Sequence, residues 1–225
     1  MIGSTRGHGR CRLLSYALRW ATGRTSGSRW RRTPGSCLAP ATATPPHGDV
    51  IMRGEEVQFL ARCGSGHYLQ TPCSASPAPT AKWAQLVDDA IASFETAMTG
   101  EMFDLLRTHA LIAPQLQGEI KPGSAFREGV AAARGGDLLG GLFGVRADAL
   151  LKRRPANQMA SYASGLLIGA DCVAHATHTV VTVLADNRLG PLYATALDEL
   201  GITSRNIDSQ AAFVAGIVAI RELSR

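Results

Sequence analysis

The side chains best placed for chemistry sit in a few short groups. Thr99-Gly100-Glu101 stands where a strand pattern gives way to a helix pattern. A helix N-terminus attracts anions through its free N–H groups and dipole, so these residues could contact a phosphate or simply cap the helix. Lys82 opens a strand pattern nearby and could approach the same anion; an exposed lysine is the plainer reading. His67, His109, His175 and His178 show no metal-ligand spacing, and no Ser-His-Asp or Cys-His arrangement is present. Of five Cys, only Cys172 falls after residue 80. It lies on an apolar helix and reads as a small buried residue.

These groups need elements to hold them, and composition bounds what those are. The chain has 225 residues, 45% of them apolar and 6% aromatic, which allows one large or two small domains with Ala- and Gly-rich packing. The net charge of +5 is uneven. Residues 1–48 hold eight Arg and no Asp or Glu, so the remaining 15 of the 23 basic residues face all 18 acidic ones. The body is mildly acidic, which argues against nucleic acid as a partner. No run reaches the roughly 20 apolar residues a spanning helix requires, so no membrane partner is expected either. Few Cys in the body fit a reducing cytoplasm.

Residues 5–48 show no helical or strand period and are read as irregular: a disordered tail, a transit peptide or, as argued below, shifted-frame sequence. From residue 49 the pattern is regular. Helices are predicted over Met52–Arg62, Gly100–Leu111 (with Met102, Leu105, Leu106 and His109 repeating at helical spacing), Ser124–Arg134 with Ser124 as N-cap, Asp137–Leu151 and Ala156–Ala176. Two further helices are predicted, over Leu192–Leu200 with Gly201 as its stop, and from Asp208 or Ser209 to Leu223. Strands are predicted over Lys82–Val87, Ala90–Met98, Thr179–Leu184 and Ile202–Ile207. Gly165 and Gly169, four apart in a helix, imply close contact with a neighbouring element. The closing strand–helix–strand–helix run implies a parallel α/β unit.

Several strings are more specific than their pattern: Met52-Arg53-Gly54-Glu55-Glu56, Ala81-Lys82-Trp83, Met98-Thr99-Gly100-Glu101, Leu142-Phe143-Gly144-Val145-Arg146 and Ser164-Gly165-Leu166-Leu167-Ile168-Gly169. Tyr193-Ala194, Ala196-Leu197 and Leu200-Gly201 follow in order. On these, the chain resembles the 2-dehydro-3-deoxygalactonokinase family from about Asp49 to Arg225, with a gap at 63–80. The resemblance implies an α/β fold of the actin-like and sugar-kinase (ribonuclease H-like) ATPase type, with the C-terminal lobe largely present and the N-terminal lobe incomplete. The implied divisions are 1–48 irregular, 49–80 a remnant of the first lobe with an altered phosphate loop, and 81–225 the C-terminal lobe.

The resemblance also implies an enzyme that transfers the ATP γ-phosphate to O6 of 2-dehydro-3-deoxy-D-galactonate, with Mg²⁺ on the phosphates. Its partners would be the sugar acid and the nucleotide. Asp49 would then be the general base, or an N-cap. Arg53, Glu55, Glu56 and Arg146 would bind the sugar acid, or be a solvated face and a structural pair. Thr80, Lys82, Thr99, Gly100 and Glu101 would meet the nucleotide.

Two departures bear on activity. The family's opening phosphate turn has no match, and Ser76-Pro77-Ala78-Pro79-Thr80 stands where the family has a Gly-Thr loop. Prolines remove donors such a loop needs. Thr71–Thr80 can be generated by reading family-like codons one base late, so 64–80, like 5–48, is expected to be frame-shifted. A non-catalytic α/β remnant that binds a partner is the competing expectation.

Overall fold

A computed structural model describes residues 37–38, 51–52, 55, 57–59, 73–87 and 90–223. Two short strands, β1 (Cys37–Leu38) and β2 (Ile51–Met52), pair antiparallel. The main sheet has five strands: β3 (Cys73–Ser76), β4 (Ala81–Val87), β5 (Ala90–Ala97), β6 (Val180–Ala185) and β7 (Thr203–Asp208). Their order is β5-β4-β3-β6-β7. The first three form an antiparallel meander, while β3, β6 and β7 run parallel.

The Val-Val-Thr-Val-Leu-Ala sequence of β6 suits its inner position, since β-branched side chains fit a strand covered on both faces. The polar Thr-Ser-Arg-Asn-Ile-Asp of β7 suits an edge. The central strand was not legible. Cys73, Ser74, Ala75 and Ser76 are all buried, yet they form no apolar run, and four small residues alternating Cys/Ala with Ser carry too weak a strand signal to single out. They fall in the stretch read as frame-shifted, and a division at residue 80 cuts through this sheet.

Six helices follow the meander or cross over between strands: α1 (Thr99–His109), α2 (Ser124–Ala133), α3 (Leu138–Leu150), α4 (Ala156–His175), α5 (Gly190–Glu199) and α6 (Ser209–Leu223). Helix α4 is the pivot. One side joins the sheet core of Trp83, Phe126, Val130, Ile168, Val181 and Tyr193. The other joins a helical core of Phe103, Leu116, Leu142, Val145, Met159 and Leu166. The opposite sheet face is covered by Phe59 and by Ala212 of α6.

The expected contact through Gly165 and Gly169 is present. A Cβ on Gly165 would run into the Phe126 carbonyl of α2, and one on Gly169 would lie 2.8 Å from the Cα of Val130. Gly129 of α2 meets the Tyr162 carbonyl in return.

Other expectations need correction. Within the helix expected over Met52–Arg62, Ile51–Met52 is a strand, residues 55 and 57–59 are helical, and the rest lies outside the described residues. Ser124 is the first helical residue, and the N-cap is Gly123, which offers no side-chain bond. On α1 the buried apolar side chain is Phe103, whereas Met102 and Leu105 face solvent. Packing against α4 and the 113–116 turn fixes the inner face of α1, one position away from the expected stripe. Gly201 and Asp208 behave as expected, while Asp137, expected as the first helical residue, is instead the N-cap of a helix that begins at Leu138. Asp137 accepts from the Gly140 N–H, Gly201 has φ +79°, and Asp208 accepts from the Ala211 N–H.

Candidate active site

The parallel strands β3, β6 and β7 end together at Ser76, Ala185 and Asp208. In open α/β sheets ligands bind beyond such ends. Three of the groups picked out in the sequence converge there. The β3–β4 loop, 77–80, lies against the start of α1. A Cβ on Gly100 would stand 2.9 Å from the Ala78 carbonyl oxygen, and the Glu101 N–H donates to the Pro79 carbonyl at 2.9 Å. Glycine is therefore required at position 100 by close approach. One of the α1 N-terminal donors is already used by the loop, so an anion there would meet fewer free N–H groups.

Lys82 belongs to a row of side chains running across the sheet, Ser76–Lys82–Thr96, in direct register. It is buried, and its Nζ donates to Thr96 Oγ1 at 3.0 Å. Burial lowers its pKa, and the nearby Glu55 carboxylate opposes that shift. Ser76 Oγ donates to Gln58 Oε1 at 2.9 Å. Glu55 and Lys82, expected on sequence grounds to face different ligands, thus belong to one polar group. Thr80 is half-buried at the start of this row. Asp49, Arg53 and Glu56 lie outside the described residues. Arg146 donates from Nη1 to the Leu111 carbonyl at 3.1 Å, in the helical layer. The structure thus gives it a backbone-tethering contact and does not join it to the Lys82 group.

On the other face of β4 the structure holds a network that sequence reasoning missed. Asp171 of α4 is buried. Its Oδ1 accepts from Trp83 Nε1 at 2.8 Å, and its Oδ2 accepts from Tyr193 Oη at 2.6 Å. His175, one helical turn on, brings Nδ1 to 3.0 Å from Asp171 Oδ1 and Nε2 to 3.2 Å from Glu95 Oε2. Its ring stacks on Trp83 with centroids 5.7 Å apart. Thr99 reaches the same network by a side-chain hydrogen bond to Tyr193, so the start of α1 is tied through Tyr193 to Asp171. The available signal was the lone acid inside an otherwise uncharged 20-residue helix, with His at i+4.

Burial disfavours a charged His175, but the Asp171 hydrogen bonds and the Asp171 and Glu95 charges outweigh it and raise the pKa above the ordinary 6.5. Burial likewise pushes the Tyr193 hydroxyl and the Cys172 thiol well up, so neither ionises near neutrality. A raised pKa means that His175 stabilises the fold fully below the unfolded value, and that this contribution fades as pH rises through the folded value. Urea midpoints should therefore fall as pH climbs from about 6.5 into the alkaline range, and His175→Gln should flatten that slope. An unchanged slope in the variant would remove His175 from the account.

An open, mixed α/β sheet flanked by helices, with a lysine and a helix start at the ends of its parallel strands, is an architecture of the sugar-kinase class. The solved structure assigned as a 2-dehydro-3-deoxygalactonokinase protein from Sinorhizobium meliloti superposes with a TM-score of 0.74 at 27% identity, over 86% of this chain and 68% of that one. The chain belongs to the 2-keto-3-deoxy-galactonokinase family, whose model matches residues 1–220. That match begins 48 residues before the stretch that carries the regular sequence resemblance. DgoK1 of Rhizobium meliloti (strain 1021), named as a 2-dehydro-3-deoxygalactonokinase, is 35% identical over 77% of this chain and 59% of its own length. The Escherichia coli (strain K12) 2-dehydro-3-deoxygalactonokinase is 33% identical over 83% of this chain and 63% of its own. The chain thus spans about three-fifths of the length of these curated relatives. Among the described residues no helix is long and apolar enough to cross a membrane.

Proposed function

We propose that this chain carries the phosphate-facing portion of a kinase that moves the γ-phosphoryl group of ATP to O6 of 2-dehydro-3-deoxy-D-galactonate. The observation that carries the reading is the placement of Lys82 in the row Ser76–Lys82–Thr96, beside the 77–80 loop and the start of α1. In this reaction the substrate hydroxyl oxygen forms a bond to Pγ, the bond from Pγ to the bridging oxygen breaks, and ADP leaves. The hydroxyl proton passes to a base, for which Asp49 is our candidate.

Lys82 is a cation held against Thr96, placed to offset charge on the phosphoryl oxygens. Thr80, Thr99, Gly100 and Glu101, in and beside the 77–80 loop, are our candidates for contact with the nucleotide, and Glu55 with Arg53 and Glu56 would face the sugar acid. Among the described residues no three His, Cys, Asp or Glu side chains come together to hold an ion. In phosphoryl transfer Mg²⁺ rests mainly on the phosphates. A cytoplasmic setting agrees with two buried free thiols, Cys73 and Cys172.

A second reading, binding without turnover, has its own support. Pro77 and Pro79 supply no N–H, and the Pro79 carbonyl occupies a donor at the start of α1. The deciding experiment measures ATP binding by calorimetry and sugar-acid-dependent ADP release on the same preparation. Turnover that falls by about 10²-fold or more in Lys82→Ala, with unchanged circular dichroism, supports the kinase reading. Nucleotide binding without ADP release supports the second. Absence of both overturns the site.

A further inference from the structure

Helix α3 is apolar on two sides. Its inner side places Leu142 and Val145 in the helical core. Its outer side exposes Leu139 by 80%, Phe143 by 66% and Leu150 by 71%. At 100° per residue these three, with Arg146, fall within an arc of about 60°, a straight stripe along the helix. Leu111, 79% exposed, flanks it, held alongside by the bond from Arg146 to its carbonyl. A helix that is hydrophobic all round belongs in an interior, and a patch of this kind marks an interaction surface.

We propose that this stripe is where two copies of the chain pair, antiparallel, about a two-fold axis level with Gly144 and Val145. Two observations favour a second copy as the occupant. The first is area. A Leu or Phe side chain carries on the order of 150–200 Å², so Leu139, Phe143, Leu150 and Leu111 present roughly 500 Å² per copy, more than half of the ~800 Å² per partner of a standard interface. The second is self-complementarity, which a two-fold interface requires. The axis sets Leu139 of one copy level with Leu150 of the other, and Phe143 level with the Arg146 guanidinium, which can lie over the ring.

The test is sedimentation velocity on the full chain from about 1 to 100 µM, with Leu139→Asp, Phe143→Glu and the double variant Leu139→Asp/Leu150→Lys. The expected result is a wild-type dimer whose dissociation constant rises about a hundredfold or more in each single variant and largely recovers in the double. Within one chain residues 139 and 150 are about 16 Å apart, so recovery can come only from pairing between copies. Both single substitutions are at exposed sites, and circular dichroism checks that folding is kept. A wild-type monomer at 100 µM overturns the proposal and gives the stripe to another occupant, such as residues 1–72 of the same chain. A dimer indifferent to the single variants, or a double variant that fails to recover, overturns it too.

Discussion

Gly165→Val is expected to destabilise the chain by about 3 kcal/mol or more, a large part of the 5–15 kcal/mol that holds a typical domain together. Helices α2 and α4 touch backbone to backbone at this point. A Cβ on Gly165 would collide with the Phe126 carbonyl and stand 2.9 Å from that residue's carbonyl carbon and 3.1 Å from its Cα. Backbone atoms cannot rotate aside as a flexible side chain can. The helices would have to separate, and Phe126, Val130 and Ile168, which span the seam into the sheet core, would lose contact together. Equilibrium urea unfolding measures the loss. Gly118→Ala is the matched control, because its added Cβ meets only ordinary neighbours at 3.7 Å. It should change stability by no more than about 0.5 kcal/mol. Equal effects at the two positions would show that α2 and α4 do not approach as closely as described.

The second large effect is expected at Asp171. Asp171→Ala should cost about 3–5 kcal/mol, since it leaves the Trp83 N–H and the Tyr193 hydroxyl buried without their acceptor and removes the anion facing His175. Asp171→Asn keeps the volume and one acceptor oxygen, so it should cost less, about 2 kcal/mol. The two variants also separate packing from charge. Only loss of the charge should lower the His175 pKa, so both variants should shift its titration, followed by proton NMR, toward the ordinary 6.5. If Asp171→Ala unfolds as wild type does, the network is not a tie between sheet and helices. Because Thr99 bonds to Tyr193, the same variants should loosen the start of α1, which hydrogen exchange at Gly100 and Glu101 would register.

Much of the frame was legible because local chemistry and tertiary environment agree. The β-branched run of β6, Gly201 past α5 and Asp208 before α6 each specify one conformation, and the structure adopts it. The Gly165–Gly169 spacing announced a close contact, though not its partner. What escaped is what depends on distant residues. β3 is central because β4 and β6 flank it; nothing within Cys-Ser-Ala-Ser says so. Phe103, not Met102, faces inward because α4 and the 113–116 turn set the rotation of α1. For the site, Lys82 and the Thr99–Glu101 corner were visible as residue types at a strand start and a helix start. The Asp171 network was not, since its members come from β4, β5, α4 and α5 and meet only in the folded chain.

The pairing of Cys73 with Val181 has a consequence for how the chain is made. During synthesis the meander β3–β5 leaves the ribosome before β6, and the 88 residues from 98 to 185 must follow before β6 can lie beside β3. At 5–20 residues per second that interval is about 4–18 s. Throughout it, one long side of β3 is a bare edge, and the Trp83 indole has no carboxylate to meet. A nascent chain in that condition is a natural client for chaperones that shield strand edges, and slowing translation after residue 97 would lengthen its exposure.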